Sequence, residues 1–190
     1  MRSRAIGNGD SRKVISLFSA ETLFLGLCGI VISCACLFFR DTLALILTGG
    51  RGTETVTMLL KEYIHGYSYG ITFQMLSGMM MVFLPLNNDT NRSYLSVAVM
   101  LVSNTVLDIA SVALNLGAFG LGLATSISFI LSCLSVMPGF LDKYKAVHFE
   151  TGSYSFSSLI DAAVLGLPSL MFTLGCMAKG YVMNMTLMQI

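Results

Sequence analysis

Charge is what this sequence has least of. Only 11% of its 190 residues are Asp, Glu, Lys or Arg, against about 25% in an ordinary soluble domain. Hydrophobic residues make up 55%, and mean hydropathy is +0.78. A chain this short has too little interior to hide so much apolar surface, so the surplus must face lipid. A soluble fold is excluded. The net charge of +1 contains no basic domain, which argues against nucleic acid as a partner. Three things a soluble enzyme needs are also lacking: a nucleotide-binding glycine loop, a metal-ligand cluster, and a nucleophile beside a base. Cys28, Cys34, Cys36, Cys133 and Cys176 all lie inside apolar runs, where free cysteine acts as a small buried hydrophobe. Cys34-Ala-Cys36 has no histidine or second pair nearby to complete a zinc site.

What is present is a series of long apolar runs. A helix needs about 20 mostly apolar residues to cross a bilayer, and five segments qualify: Val14–Phe39, Tyr63–Leu86, Tyr94–Asn115, Ala118–Leu141, and Ser157 to the end. Val14–Phe39 is longer than the 7–15 residues, roughly, of a signal-peptide core and no cleavage site follows it, so it reads as an uncleaved membrane helix. Backbone groups in hydrocarbon must be bonded within the segment, so the spans are helices and the predicted fold is an all-α polytopic bundle. The short turns Asn87–Ser93 and Asn115–Gly120 predict antiparallel neighbouring helices. Arg40–Glu62, with its TLALIL run and Gly-Gly-Arg-Gly turn, predicts a short amphipathic piece at the interface.

Lysine and arginine counts set the expected orientation. Arg2, Arg4, Arg12, Lys13, Arg92, Lys143 and Lys145 fall on one side; Arg40, Arg51 and Lys61 fall on the other. The N-terminus, the Asn87–Ser93 turn and the 142–156 linker are therefore expected in the cytoplasm, with the chain multi-pass in the cell membrane. Glycines at close spacing, such as Gly66 and Gly70 or Gly117, Gly120 and Gly122, let helices approach closely.

Asp108 is the most informative residue. An acid in mid-span costs a few kcal/mol, so it should face a cavity or a partner. Asn104 lies one turn earlier on the same face, and extending that face gives Met100, Asn104, Asp108, Ser111 and Asn115. A carboxylate beside an amide oxygen can hold a proton or help bind a hard cation such as sodium; the competing reading is a structural hydrogen bond between helices. Tyr63, Tyr67, Gly70 and Gln74 recur at helical spacing, which suits a cavity wall contacting organic cations through aromatic faces. It equally suits an interfacial tyrosine belt. His65, on another face, reads as structural. Pro85 and Pro138 sit near helix ends, where proline is tolerated, whereas Pro168 should kink or hinge the last span. Glu21 and Asp161 read as acids near helix starts, stabilised by the helix dipole, and Lys179 as a snorkelling cation.

At these residues the sequence resembles the multidrug and toxic compound extrusion (MATE) transporters. IGNGDSRKV resembles the turn before the family's third helix, and LNNDTNRSYL a later turn. NTVLDIASVALNLGAFGLGLATSIS pairs an Asn-x-x-x-Asp helix with a glycine-rich turn and an Ala-Thr helix start; GLPSLMFTLGCMAKGYVMN resembles the seventh helix. The resemblance implies helices three to seven of a twelve-helix, two-lobe fold. Residues 1–141 would be most of the N-terminal lobe, 142–156 the cytoplasmic inter-lobe linker, and 157–190 the first helix of the C-terminal lobe. Such a partial chain is not expected to transport without the missing helices.

The activity implied is antiport: export of organic, often cationic, drugs and toxins, driven by inward H+ or Na+ flow, with no other cofactor. The resemblance assigns Asn104, Asp108 and Thr125 to a cation site. Tyr67, Gln74 and Ser111 are the substrate-cavity candidates, and Pro168 the hinge. The ion-coupling glutamate that some members carry on helix seven is not matched, since Gly175 and Cys176 occupy that neighbourhood. Two alternatives remain. A flippase for lipid-linked oligosaccharides of the same superfamily would favour an arginine-rich cavity, and the predicted spans contain no arginine. A non-transporting truncated remnant would make Asp108 purely structural.

Overall fold

Twenty-eight consecutive residues, Ser11–Phe38, form helix α1, which at about 1.5 Å per residue is long enough to cross a bilayer. The computed structural model describes residues 11–50 and 52–150, together with Ile160, Met171, Gly175 and Lys179. Within them α1 is followed by α2 (Arg40–Leu47), α3 (Glu54–Ser68), α4 (Ile71–Phe83), α5 (Thr90–Ala113) and α6 (Gly117–Val136), with no strand among the described residues. Three helices are long and apolar enough to span, and α3 with α4 would form a fourth span bent by 53°. The protein is an all-helical, membrane-embedded bundle. The fifth predicted span, with Pro168 and Asp161, lies outside the described residues apart from four helical positions, of which Lys179 is one.

Helix α6 is the hub: it packs on α3, α4 and α5, while α1 packs on α4. The prediction that both short turns join neighbouring helices holds for α5 and α6. It fails for α4 and α5, which contact each other little beyond the Ser93 hydroxyl donating to the Met81 carbonyl at 3.3 Å. The reason is that α6 takes the place between them. Pro85 and Pro138 each open a 3-10 turn, Leu84–Asn87 and Met137–Phe140, in keeping with their expected places at helix ends.

The second span departs most from expectation. It begins at Glu54 rather than Tyr63, because its first turns carry Glu54, Lys61 and Glu62, charges that mask a helix to a hydropathy reading. Thr53 starts it, its side chain accepting the Val56 N–H at 3.3 Å. The span then breaks at Tyr69 and Gly70. The Gly70 N–H turns to the Tyr67 carbonyl at 3.1 Å instead of continuing the ladder to Gly66. Ser126 of α6 fills in at the break, its hydroxyl lying 2.7 Å from the Gly66 carbonyl oxygen, which lost the Gly70 N–H, and 2.9 Å from that of Tyr67. Backbone groups released inside a membrane need such a substitute partner. The crossing is close enough for this only because of its glycines: a Cβ on Gly66 would strike the Phe119 carbonyl, and one on Gly122 the Tyr63 carbonyl. Ser126→Ala should therefore cost about 1–2 kcal/mol, an unmade buried bond in apolar surroundings. A lower melting temperature in detergent would register it; a variant as stable as the parent would remove Ser126 from this account of the bend.

The piece expected at the interface forms α2, separated from α1 by Phe39 alone. Leu45, Ile46 and Leu47 are exposed while Ala44 is buried, and left-handed Gly49 (φ 59°) and Gly50 (φ 67°) turn the chain toward α3. Lys61 pairs with Asp41 at 3.0 Å, tying α3 to α2. Two further expectations are corrected. Glu21 is buried well beyond the first turn of α1, so the dipole at the helix start does not account for it. Asn115 lies outside α5 with φ 54°, so the polar stripe ends before it.

The core sits at one end of the bundle. Phe18 of α1, fully buried, stacks on Phe140 at 4.6 Å and meets Phe83 edge-on at 5.0 Å. Met80, Leu84 and Val136 complete it. This end also carries Arg12, Lys13, Arg92, Lys143 and Lys145, whereas Arg40 and Lys61 lie at the other. Among the described residues, these loop cations thus lie at two opposite ends.

Candidate functional site

Helix α5 presents its polar stripe beside α6 because small residues line that seam. Ser96 and Ser132 share a buried hydrogen bond at 2.7 Å, and Ser111 donates to the Gly120 carbonyl at 3.1 Å. Between these two ties the Asn104 amide donates to the Thr125 hydroxyl at 3.2 Å, and that hydroxyl donates to the Leu121 carbonyl at 3.1 Å. Asn104 and Thr125, separated by 21 residues in the chain, are brought together as neighbours across the seam. Thr125 faces α5 and Ser126 faces α3, as a rotation of about 100° per residue demands.

Asp108 lies one turn beyond Asn104 in α5, partly exposed. Among the described residues its carboxylate has no hydrogen-bond or ion-pair partner. An ionised carboxylate accepts but never donates. The Asn104 amide nitrogen is engaged by Thr125, which leaves its oxygen as an acceptor. The stripe therefore offers oxygens and lacks an opposing cation, an arrangement suited to a proton or a small hard cation. Ser111, farther along the stripe, is buried, and its hydroxyl closes the α5–α6 turn.

Tyr67 and Gln74 come together across the break in the second span, the tyrosine hydroxyl donating to the Gln74 side-chain oxygen at 2.6 Å. Sequence spacing placed them on one continuous helical face; the bend makes them a bonded pair instead. Tyr63 stacks on Tyr67 with ring centres 6.0 Å apart, and Phe129 of α6 meets Tyr67 edge-on at 6.1 Å. Gln74 is exposed, so its amide N–H groups stay available. Gly70 does not join this wall, because it is pressed against Ser126. His65 is fixed on the other side of α3, its Nε2 3.0 Å from the Tyr69 hydroxyl and its Nδ1 3.3 Å from an Arg40 guanidinium nitrogen.

Hydropathy gives no hint of a third cluster, at the basic end of the bundle. Asp89, which precedes α5, accepts from Arg92 at 2.9 Å and from Lys145 at 3.2 Å. The Arg92 bond holds its carboxyl below the usual carboxylate range, against partial desolvation, and Lys145 acts in the same sense. This stabilisation is present above the unfolded value of about 3.9 and is lost only as pH falls through the lower folded value. Asn87 bonds Val147 in both directions, its amide donating to the Val147 carbonyl and its oxygen accepting the Val147 N–H, each at 2.8 Å. The signal available in the sequence was the Asn-Asn-Asp turn itself, which reads equally well as ordinary loop chemistry.

No group of three or more His, Cys, Asp or Glu able to hold a metal occurs among the described residues. No family model matches the chain, and no curated protein does. Among solved structures, the chain is similar to the inward-facing conformation of a multidrug resistance MATE family transporter of the MOP superfamily. The TM-score is 0.78 at 23% sequence identity, over 88% of this chain and 38% of that one. The chain thus spans well under half the length of the protein it matches. The fold shared over that length is part of a MATE-like helical membrane bundle.

Proposed function

We propose that this chain forms most of one lobe, and the start of the other, of an antiporter that exports organic, often cationic, compounds in exchange for H+ or Na+. The observation that carries the reading is Asp108: an acid within the apolar span α5, one turn from an amide anchored to Thr125, with no protein cation paired to it among the described residues. Intramembrane acids mark ion pathways by default. In this reading Asp108, Asn104 and Thr125 hold the coupling cation, and the stacked Tyr63–Tyr67 pair with the free amide of Gln74 receives the organic substrate.

The mechanism is alternating access, with two lobes rocking about a central cavity. A cation at Asp108 favours one state and the organic substrate the other, because only differential affinity shifts such an equilibrium. The arginines of the described residues sit at helix ends rather than deep in the spans, which supports this reading over sugar-phosphate flipping. The basic end of the bundle, with the N-terminus, faces the cytoplasm.

The test is transport by the complete protein that carries this segment, reconstituted in vesicles preloaded with a fluorescent organic cation. An imposed proton or sodium gradient should drive the dye against its own gradient. Dye movement indifferent to both gradients would overturn the proposal.

A further inference from the structure

We infer that residues 142–150 are a strap latched to the basic end of this lobe, moving with α1–α6 as one body rather than serving as a free connection between lobes. The inference rests on the alternating-access reading above, and it adds where compliance is absent. A polar, aromatic segment leaving a membrane helix is ordinarily a solvated loop. Here three independent features fix it.

The first is the reciprocal bond of Asn87 with Val147, which places a side-chain amide where a β-partner would lie. The same Asn87 amide also reaches the Gly139 carbonyl at 3.1 Å, so one residue ties the strap to the 3-10 turn that precedes it. The second is apolar. Val147 is fully buried, and the Phe149 ring lies 5.1 Å from Phe18 and 6.1 Å from Phe140. The Phe149 N–H returns to the Phe140 carbonyl at 3.2 Å. The third is ionic: Lys145 and Arg92 share Asp89. The strap therefore lies across the end of α1, the α4–α5 turn and the end of α6, the places where a rocking lobe would otherwise flex. Tyr144 and Lys143 project outward and take no part.

A buried side chain on a docked strap is hidden from a bulky reagent, and Val147→Cys reports this directly. In sealed inside-out vesicles containing the complete protein, with the basic end facing the medium, maleimide labelling is measured above the background of the native cysteines. Labelling at Val147→Cys should be at least about tenfold slower than at Lys143→Cys, as expected when access requires local opening. Adding Asn87→Ala, or the milder Asp89→Asn, should speed it toward the Lys143→Cys rate. Imposing the coupling-ion gradient, with or without the organic cation, should leave it unchanged. Equal labelling at the two positions, no response to either latch substitution, or faster labelling during turnover would each overturn the strap. Dye transport measured in the same preparation keeps the two ideas apart: protected Val147→Cys in a protein that moves no dye would sink the transporter reading alone.

Discussion

Asp108→Asn should abolish gradient-driven export while leaving the protein inserted and folded. In the parent, affinity for the organic substrate should change about 5- to 150-fold with occupancy by the coupling cation, the span of ordinary coupling energies. In the variant that dependence should vanish, because an amide neither binds a proton in this range nor brings a charge to a cation. Stability should not fall. An amide is a neutral isostere of the carboxylate and costs less to hold in apolar surroundings than an ionised acid does. The carboxylate also has no bond to lose among the described residues. A structural acid would show the opposite pattern, with stability lost and export retained per folded molecule. Export assays paired with thermal melts in detergent separate the two.

The second large effect concerns the fold. Phe18→Ala should destabilise the lobe by about 3–5 kcal/mol, as emptying a buried aromatic site does elsewhere. Phe18 is fully buried and touches Phe83, Phe140 and Phe149 at once. It thus joins α1, the end of α4, the Met137–Phe140 turn and the strap. Partial collapse cannot refill the site, because its neighbours are anchored on different helices. Phe18→Leu should recover about half the loss by restoring volume without ring contacts. Melting temperatures of the two variants check the order, and equal melts for Ala and parent would show the cluster to be loosely packed.

The spans of α1, α5 and α6 were legible because hydropathy reports lipid exposure, and these helices keep apolar faces such as Leu101, Val102 and Ile109 outward. The second span was legible only in part. Its start carries charges, and its break depends on Ser126, a residue of another helix whose purpose no local pattern reveals. Asn104 and Asp108 were identifiable because polar groups stand out in an apolar background, whereas Thr125 was reached only through the family resemblance; the Asn104–Thr125 contact brings it beside Asn104. Ser111 shows the limit of that signal: it shares the face of Asp108 yet is consumed by the Gly120 carbonyl. The strap was invisible for a related reason. Asn87, Asp89 and Lys145 are usual loop residues, and only their meeting across more than 50 residues gives them a role.

Infrared difference spectroscopy of the reconstituted protein, recorded as the coupling cation is titrated, addresses the site itself. A carboxyl band should shift between its protonated and ionised forms, or split as sodium binds, and Asp108→Asn should erase that band alone. The same difference spectrum in parent and variant would contradict the assignment of Asp108 as the cation's seat.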